Sequence, residues 1–218
     1  MHVNLARPRR EQTQSEEIAN SISHGIGLVA VLVGAPYLIA HAAGYGDFGF
    51  IVGASVFSAT MALLYLASTL YHGLPCGRAK HVFRVIEHSA IFLLIAGTYT
   101  PFALGALRGT SGWTLFSIVW GIAAVGIVLR ILDRFSHPVL FTGLYLLMGW
   151  VAVIEIDQLL VNVPAEGLFW LLAGGLLYTI GVVFFAADSW LHYGHLVWHL
   201  FVIAGTACHY FAVYWYAA

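Results

Sequence analysis

Charge is what this chain has least of. Lys, Arg, Asp and Glu make up 9% of its 218 residues, against roughly 25% in a soluble domain. That scarcity leaves almost no sequence for a soluble domain. The net charge of -1 comes without a basic stripe, so nucleic acid is not expected as a partner. Cysteine is nearly absent. Cys76 falls in a loop and Cys208 well inside the last apolar stretch, so no disulfide is expected between them. Repeats and low-complexity segments are missing too. The first 21 residues are polar and contain Arg7, Arg9 and Arg10, so no cleavable signal peptide is expected. Insertion then relies on the apolar stretches themselves.

Those stretches are what the chain has in abundance: 61% of its residues are hydrophobic, with a mean hydropathy of +0.86. A bilayer core needs about 20 apolar residues per helix. Seven stretches qualify, near 22–43, 50–72, 84–106, 113–131, 138–158, 166–187 and 195–217. Short breaks with turn chemistry separate them, such as GYGDFG at 44–49 and RGTSG at 108–112, and force neighbouring helices to run antiparallel. The expected fold is all-α, a seven-transmembrane helix bundle over 16–218. It follows a disordered cytoplasmic tail over 1–15, and EEIANSISH from Glu16 reads as a helical lead-in to span one. The pairs Gly174-Gly175 and the lone Gly181 read as close helix contacts.

Lys and Arg orient the bundle. Arg7, Arg9 and Arg10 precede span one; Arg78, Lys80 and Arg84 lie between spans two and three; Arg130 and Arg134 lie between spans four and five. Only Arg108 falls on the other side. The N-terminus is therefore expected in the cytoplasm and the C-terminus outside, the reverse of a G-protein-coupled receptor.

The unusual polar residues gather at the cytoplasmic ends. Span two ends with Ser68 and His72 at i, i+4. Span three opens with Glu87-His88-Ser89, and span seven with His195 and His199, again at i, i+4. Span one presents Glu17, Asn20 and His24 on one helical face. Polar side chains at membrane depth are costly and mark function by default. His2, His81, His137 and His192 lie in loops or the tail and read as solvated. His41 and His209 lie toward the outer half without obvious partners. Glu87 has two readings: an ion pair with Arg84, its i−3 neighbour, or a member of the histidine group.

His72, His195 and His199 together supply three imidazoles at one depth. Three nitrogen ligands with an open fourth position describe a catalytic zinc site. Zinc brings the pKa of a bound water to about 7. Glu87 is then placed to take the proton of that water, and Ser68 to hydrogen-bond the nucleophile or a developing oxyanion. Asn20, His24 and Asp188 are candidates for orienting the imidazoles, with Asp188, a loop carboxylate, the weakest.

These motifs in order, Glu17-x-x-Asn20-x-x-Ser23-His24, Ser68-x-x-x-His72, the run from Glu87 to Phe102, and His195-x-x-x-His199, resemble the bacterial hemolysin III proteins. That family is grouped with the progestin and adiponectin receptors and, more widely, with alkaline ceramidases. The resemblance runs from about Glu16 to Tyr214. It implies a seven-helix bundle with a cytoplasmic N-terminus in the bacterial inner membrane, and a zinc ion on His72, His195 and His199. The family usually has Asp where this chain has Glu87. The extra methylene carries the carboxylate roughly 1.5 Å further, which leaves open direct ligation, a shifted water or weaker chemistry.

The function expected is zinc-dependent hydrolysis of a lipid amide or ester reached from the bilayer, with a membrane lipid as substrate or ligand. The alternative is a non-catalytic sensor of membrane state that uses zinc to hold its helices together. A secreted cytolysin fits poorly, since the chain is apolar throughout. An ion or proton channel lacks a chain of ionisable groups linking the two sides: Glu155 and Asp157 lie near the outer end of span five. The sequence carries no signal for oligomeric state.

Overall fold

The structure is a computed structural model that describes residues 10–132 and 138–218. His137 and Arg134, like His2, Arg7 and Arg9, lie outside the described residues. The described chain is helical, with no strand. The helices are α1 (Gln14–Tyr45), α2 (Phe48–Gly73), α3 (Arg78–Leu104), α4 (Thr110–Ile131), α5 (Pro138–Gly149), α6 (Ile156–Asn162), α7 (Ala165–Ala186) and α8 (Gly194–Tyr216). A 3-10 turn, Val151–Glu155, joins α5 to α6. Counting Leu140–Asn162 as one crossing, seven helices among the described residues are long and apolar enough to span a membrane. Side chains such as Val29, Leu32, Phe169 and Leu172 cover the outer faces, as a lipid-facing surface requires.

Local chemistry sets the helix starts. The α1 helix begins at Gln14, inside the stretch expected as a tail, because Thr13 caps it. The Glu16 amide donates to Thr13 Oγ1 at 3.3 Å, and Glu16 Oε2 accepts from the Thr13 amide at 2.9 Å. That reciprocal pair is a capping box. Asp47 caps α2 by accepting from the Phe50 amide at 2.8 Å, and its other oxygen meets Arg108 Nη2 at 2.5 Å. The α1–α2 and α3–α4 loops are thereby tied at the end of the bundle opposite the histidines. Cys76 and Cys208 are both free thiols.

Glycine sets how closely the helices approach. A Cβ on Gly53 would lie 2.5 Å from Pro101 Cα, so α2 and α3 touch at backbone distance there. Gly174 and Gly181 of α7 likewise lie against His209 and Trp198 of α8. Gly175 departs from the expected close contact: nothing lies within 4 Å of its Cβ position, and it lines a cavity instead.

Span five also departs from the continuous helix expected over 138–158. It breaks after Gly149, and α6 resumes at Ile156. Backbone groups released inside a membrane need partners. Tyr99 supplies them: its hydroxyl donates to the Gly149 carbonyl at 2.6 Å and accepts from the Ala152 amide at 3.2 Å. Trp150 Nε1 donates to Thr179 Oγ1 of α7 at 3.1 Å. The break holds α5 and α6 away from α7 and leaves room between them.

Candidate metal centre

Four side chains converge at the end of the bundle where α1 begins, α2 ends and α3 and α8 begin. One ligand atom from each of His72, Glu87, His195 and His199 lies within 4.8 Å of every other. The spacing His195-x-x-x-His199 places both rings on one face of α8, with centroids 4.7 Å apart. The His72 ring from α2 lies 5.0 Å from His195 and 5.1 Å from His199. Glu87 reaches in from α3, its Oε1 3.6 Å from His72 Nε2. His72, Glu87 and His199 are buried, with His199 only 1% exposed.

Each histidine is oriented through Nδ1. His72 Nδ1 donates to Glu17 Oε2 at 2.7 Å. His199 Nδ1 lies 3.2 Å from the Asn20 carbonyl and 3.0 Å from Ser23 Oγ. His195 Nδ1 lies 3.3 Å from Asp188 Oδ2. Carbonyl and carboxylate oxygens only accept, so these contacts put the proton on Nδ1 and leave the Nε2 lone pair for the shared centre. The Nε2 atoms of His72 and His195 are buried with no hydrogen-bond partner among the described residues. Unpartnered buried acceptors beside a buried carboxylate are costly without a cation. The donor set therefore fits a divalent metal: imidazole nitrogens held in one tautomer, with a carboxylate at their side.

The expected residues fall into three placements. His72, His195 and His199 come together with Glu87. Glu87 does not pair with Arg84, whose guanidinium turns to His81 Nδ1 at 3.1 Å. Ser68, fully buried, has its Oγ 2.7 Å from His24 Nδ1. The His24 ring is stacked on His199 with centroids 3.5 Å apart. Ser68 thus meets the group through His24. Asn20 contributes its backbone carbonyl, while its side-chain amide donates to Gln12 Oε1 at 2.9 Å. His192 is exposed. His41 stacks on Tyr214 near the far end of the bundle.

Several contributors escaped the residue-by-residue reading. Glu17 was visible only as a member of the α1 face, yet it holds His72 and forms an ion pair with Lys80 at 3.0 Å. Ser23 adjoins His24 in the motif and meets His199. Asp188, the weakest candidate from sequence, is the residue that meets His195. Arg10 reads in the sequence only as one of the orienting charges. It grips both Glu16 oxygens at 2.6 Å and donates to the Leu191 carbonyl at 3.1 Å, while Glu16 Oε1 accepts from the Tyr193 amide at 2.8 Å. Tyr193 has φ 58, the left-handed region that few side chains adopt. This clamp ties the α7–α8 loop to α1 and sets where α8 starts. Glu16 in turn raises the Arg10 guanidinium above its ordinary pKa through those charge-assisted bonds.

A cavity of about 400 Å³ opens beneath the four side chains. Its near end is lined by His24, Glu87 and His199, and apolar side chains such as Ile91, Leu94, Leu171 and Val202 line its length. It runs beside the break in span five, where Gly149 and Trp150 form part of its wall.

The family model for haemolysin-III-related proteins matches residues 12–210. Hemolysin-3 of Bacillus cereus is 42% identical over 208 residues, covering 95% of this chain and 94% of that protein. A hemolysin-3 homolog of Bacillus subtilis (strain 168) is 43% identical over 204 residues, covering 94% of this chain and 95% of that protein. The human monocyte to macrophage differentiation factor is 29% identical over 224 residues, covering 99% of this chain and 90% of that protein. With nearly its whole length matched and the four motifs assembled in one place, this chain belongs to the haemolysin-III-related family of multi-pass membrane proteins.

Proposed function

We propose that this protein is a zinc-dependent hydrolase of a membrane lipid amide or ester. Its site would lie at the cytoplasmic face of a bacterial inner membrane, since Arg10, Arg78, Lys80 and Arg84 share that end of the bundle with the histidines. The observation that carries the reading is continuity: Glu87 and His199 belong both to the four-residue centre and to the wall of an apolar cavity. A lipid with its chain in that cavity places its head at the centre.

His72, His195 and His199 would hold the ion through Nε2. Zinc there supplies a Lewis acid for the substrate carbonyl and a water acidic near neutral pH. Glu87 takes the proton from the attacking water and returns it to the leaving amine or alcohol; the carbonyl gains the hydroxyl as its bond to that group breaks. Glu17, Asp188 and the Asn20 carbonyl keep the imidazoles in the productive tautomer. Ser68 acts as a positioning residue, holding His24 at Nδ1. His24 lines the cavity and its Nε2 is buried without a partner among the described residues, which makes it a candidate to meet the substrate head. The apolar walls exclude bulk water and keep the nucleophile local.

The test is turnover of a panel of ceramides, acylated phospholipids and lysolipids by the purified protein, with zinc content measured in parallel. Metal-dependent release of fatty acid, lost in His195→Ala, is the expected result. Metal binding with no turnover across the panel overturns the hydrolase reading.

A second reading is a sensor in which zinc holds helices together. It is favoured by the Nδ1 contacts, which join α1 to both α2 and α8 through His72 and His199. In that case Glu87→Gln leaves biological output intact while zinc removal abolishes it.

A further inference from the structure

The far end of the cavity contains polar groups that the metal centre does not use. His209 and Tyr178 both line it. His209 follows His199 by ten residues on α8, roughly 15 Å along the helix axis. His209 is 8% exposed. Its Nε2 lies 3.3 Å from the Leu171 carbonyl, an obligate acceptor, so the ring carries its proton there. Nδ1 is then a bare acceptor, buried, with no partner among the described residues. Tyr178 is committed in the same direction. Thr206 Oγ1 donates to the Val202 carbonyl at 2.8 Å, so the Tyr178 hydroxyl, 2.8 Å away, donates to Thr206 and leaves its own oxygen as an acceptor.

Both groups have been given room. A Cβ on Gly174 would fall 2.5 Å from His209 Nε2, and one on Gly205 would fall 2.7 Å from Tyr178 Cε1. The two rings lie 5.3 Å apart, each seated over a glycine of the opposite helix. Apolar side chains at these positions would finish an apolar cavity without cost. Instead, two acceptors stand deep in a cavity lined mostly by apolar side chains, at a depth where an idle polar group is costly.

We propose that this end is a hydrogen-bonding subsite for a hydroxyl group on the lipid chain, donated to His209 Nδ1. The inference rests on the reading that the cavity holds a lipid chain. It adds a specificity: a chain hydroxylated far from its head is preferred over the plain chain of equal length.

The experiment uses the purified full-length protein in lipid nanodiscs with bound radiolabelled laurate, displaced by unlabelled laurate or by ω-hydroxylaurate. The hydroxylated acid should compete about tenfold better, the equivalent of about 1.4 kcal/mol. His209→Leu should erase the preference while still binding laurate, and Tyr178→Phe should weaken it less. Gly175→Phe, which projects into the cavity from a position with open space around it, should lose both ligands. Equal competition in the wild type, with Gly175→Phe still blocking, means that water serves His209; it overturns the subsite and leaves the lipid cavity standing. Binding unaffected by Gly175→Phe overturns the cavity reading and the subsite with it. A preference retained in both His209→Leu and Tyr178→Phe also overturns the assignment.

Discussion

Glu17 of α1 lies 2.7 Å from His72 Nδ1 of α2, so the carboxylate that fixes one imidazole of the candidate metal centre comes from a different helix. Lys80, at the start of α3, holds the other Glu17 oxygen at 3.0 Å. Three helices therefore determine the tautomer of one ring. Substituting such an outer partner typically costs 10–100-fold in metal affinity. Glu17→Gln is expected to weaken zinc binding in that range, measured by competition with a chelating dye. Unchanged affinity would show that His72 needs no partner at Nδ1.

His72→Ala, His195→Ala and His199→Ala should each reduce zinc in the purified protein to a small fraction of the wild-type content. Elemental analysis of the purified variants measures this directly. Full retention of metal in all three rules out this centre as the binding site.

Glu87→Gln separates binding from chemistry. The amide keeps the shape but cannot accept a proton. Zinc content is expected to stay near wild type while lipid turnover falls by about 10²–10⁴-fold, the usual contribution of a positioned base. A large loss of zinc would instead make Glu87 a ligand. Glu87→Asp, which shortens the side chain by one methylene, tests whether the carboxylate's reach matters.

Metal removal should lower thermal stability, because an ion held jointly by residues of α2, α3 and α8 would bind only the folded bundle. At free zinc 100 times Kd the linkage is worth about 2.7 kcal/mol. A downward shift of Tm on chelation, reversed by added zinc and absent in His199→Ala, is the expected pattern in a tryptophan-fluorescence melt.

Tyr99→Phe tests the break in span five. Its hydroxyl serves the Gly149 carbonyl and the Ala152 amide together. Backbone groups left without a partner at membrane depth are costly. A clear fall in Tm is expected, without change in zinc content, since the candidate metal ligands lie at the other end of the cavity wall. A stable variant with normal Tm would mean that the break is held by other contacts.

Much of the centre was legible because its candidate ligands obey local periodicity. His195 and His199 share a helix face at i, i+4, and His72 and Glu87 stand at helix ends of matching depth. Partners that depend on a loop's path were not legible. Asp188 reads as a solvated loop carboxylate until the Arg10–Glu16 clamp folds the α7–α8 loop against α1. The contact of Ser68 with His24, which is stacked on His199, depends on how α1 packs against α2 and α8 and has no signal along α2. The break after Gly149 was hidden as well, since Gly followed by Trp in an apolar run is compatible with an unbroken transmembrane helix.

By itself, the sequence determined the number of crossings, their antiparallel order and which side chains can ligate. These follow from hydrophobic length, short connections and residue chemistry, which need no knowledge of neighbours. Tertiary structure alone decided which helices face one another, and with that the tautomers, the shared centre and the cavity beneath it. The physical reason is that membrane helices are apolar on every side. Their partners are chosen by close contacts such as Gly53 on Pro101 and Gly174 on His209, which no pattern along one helix encodes.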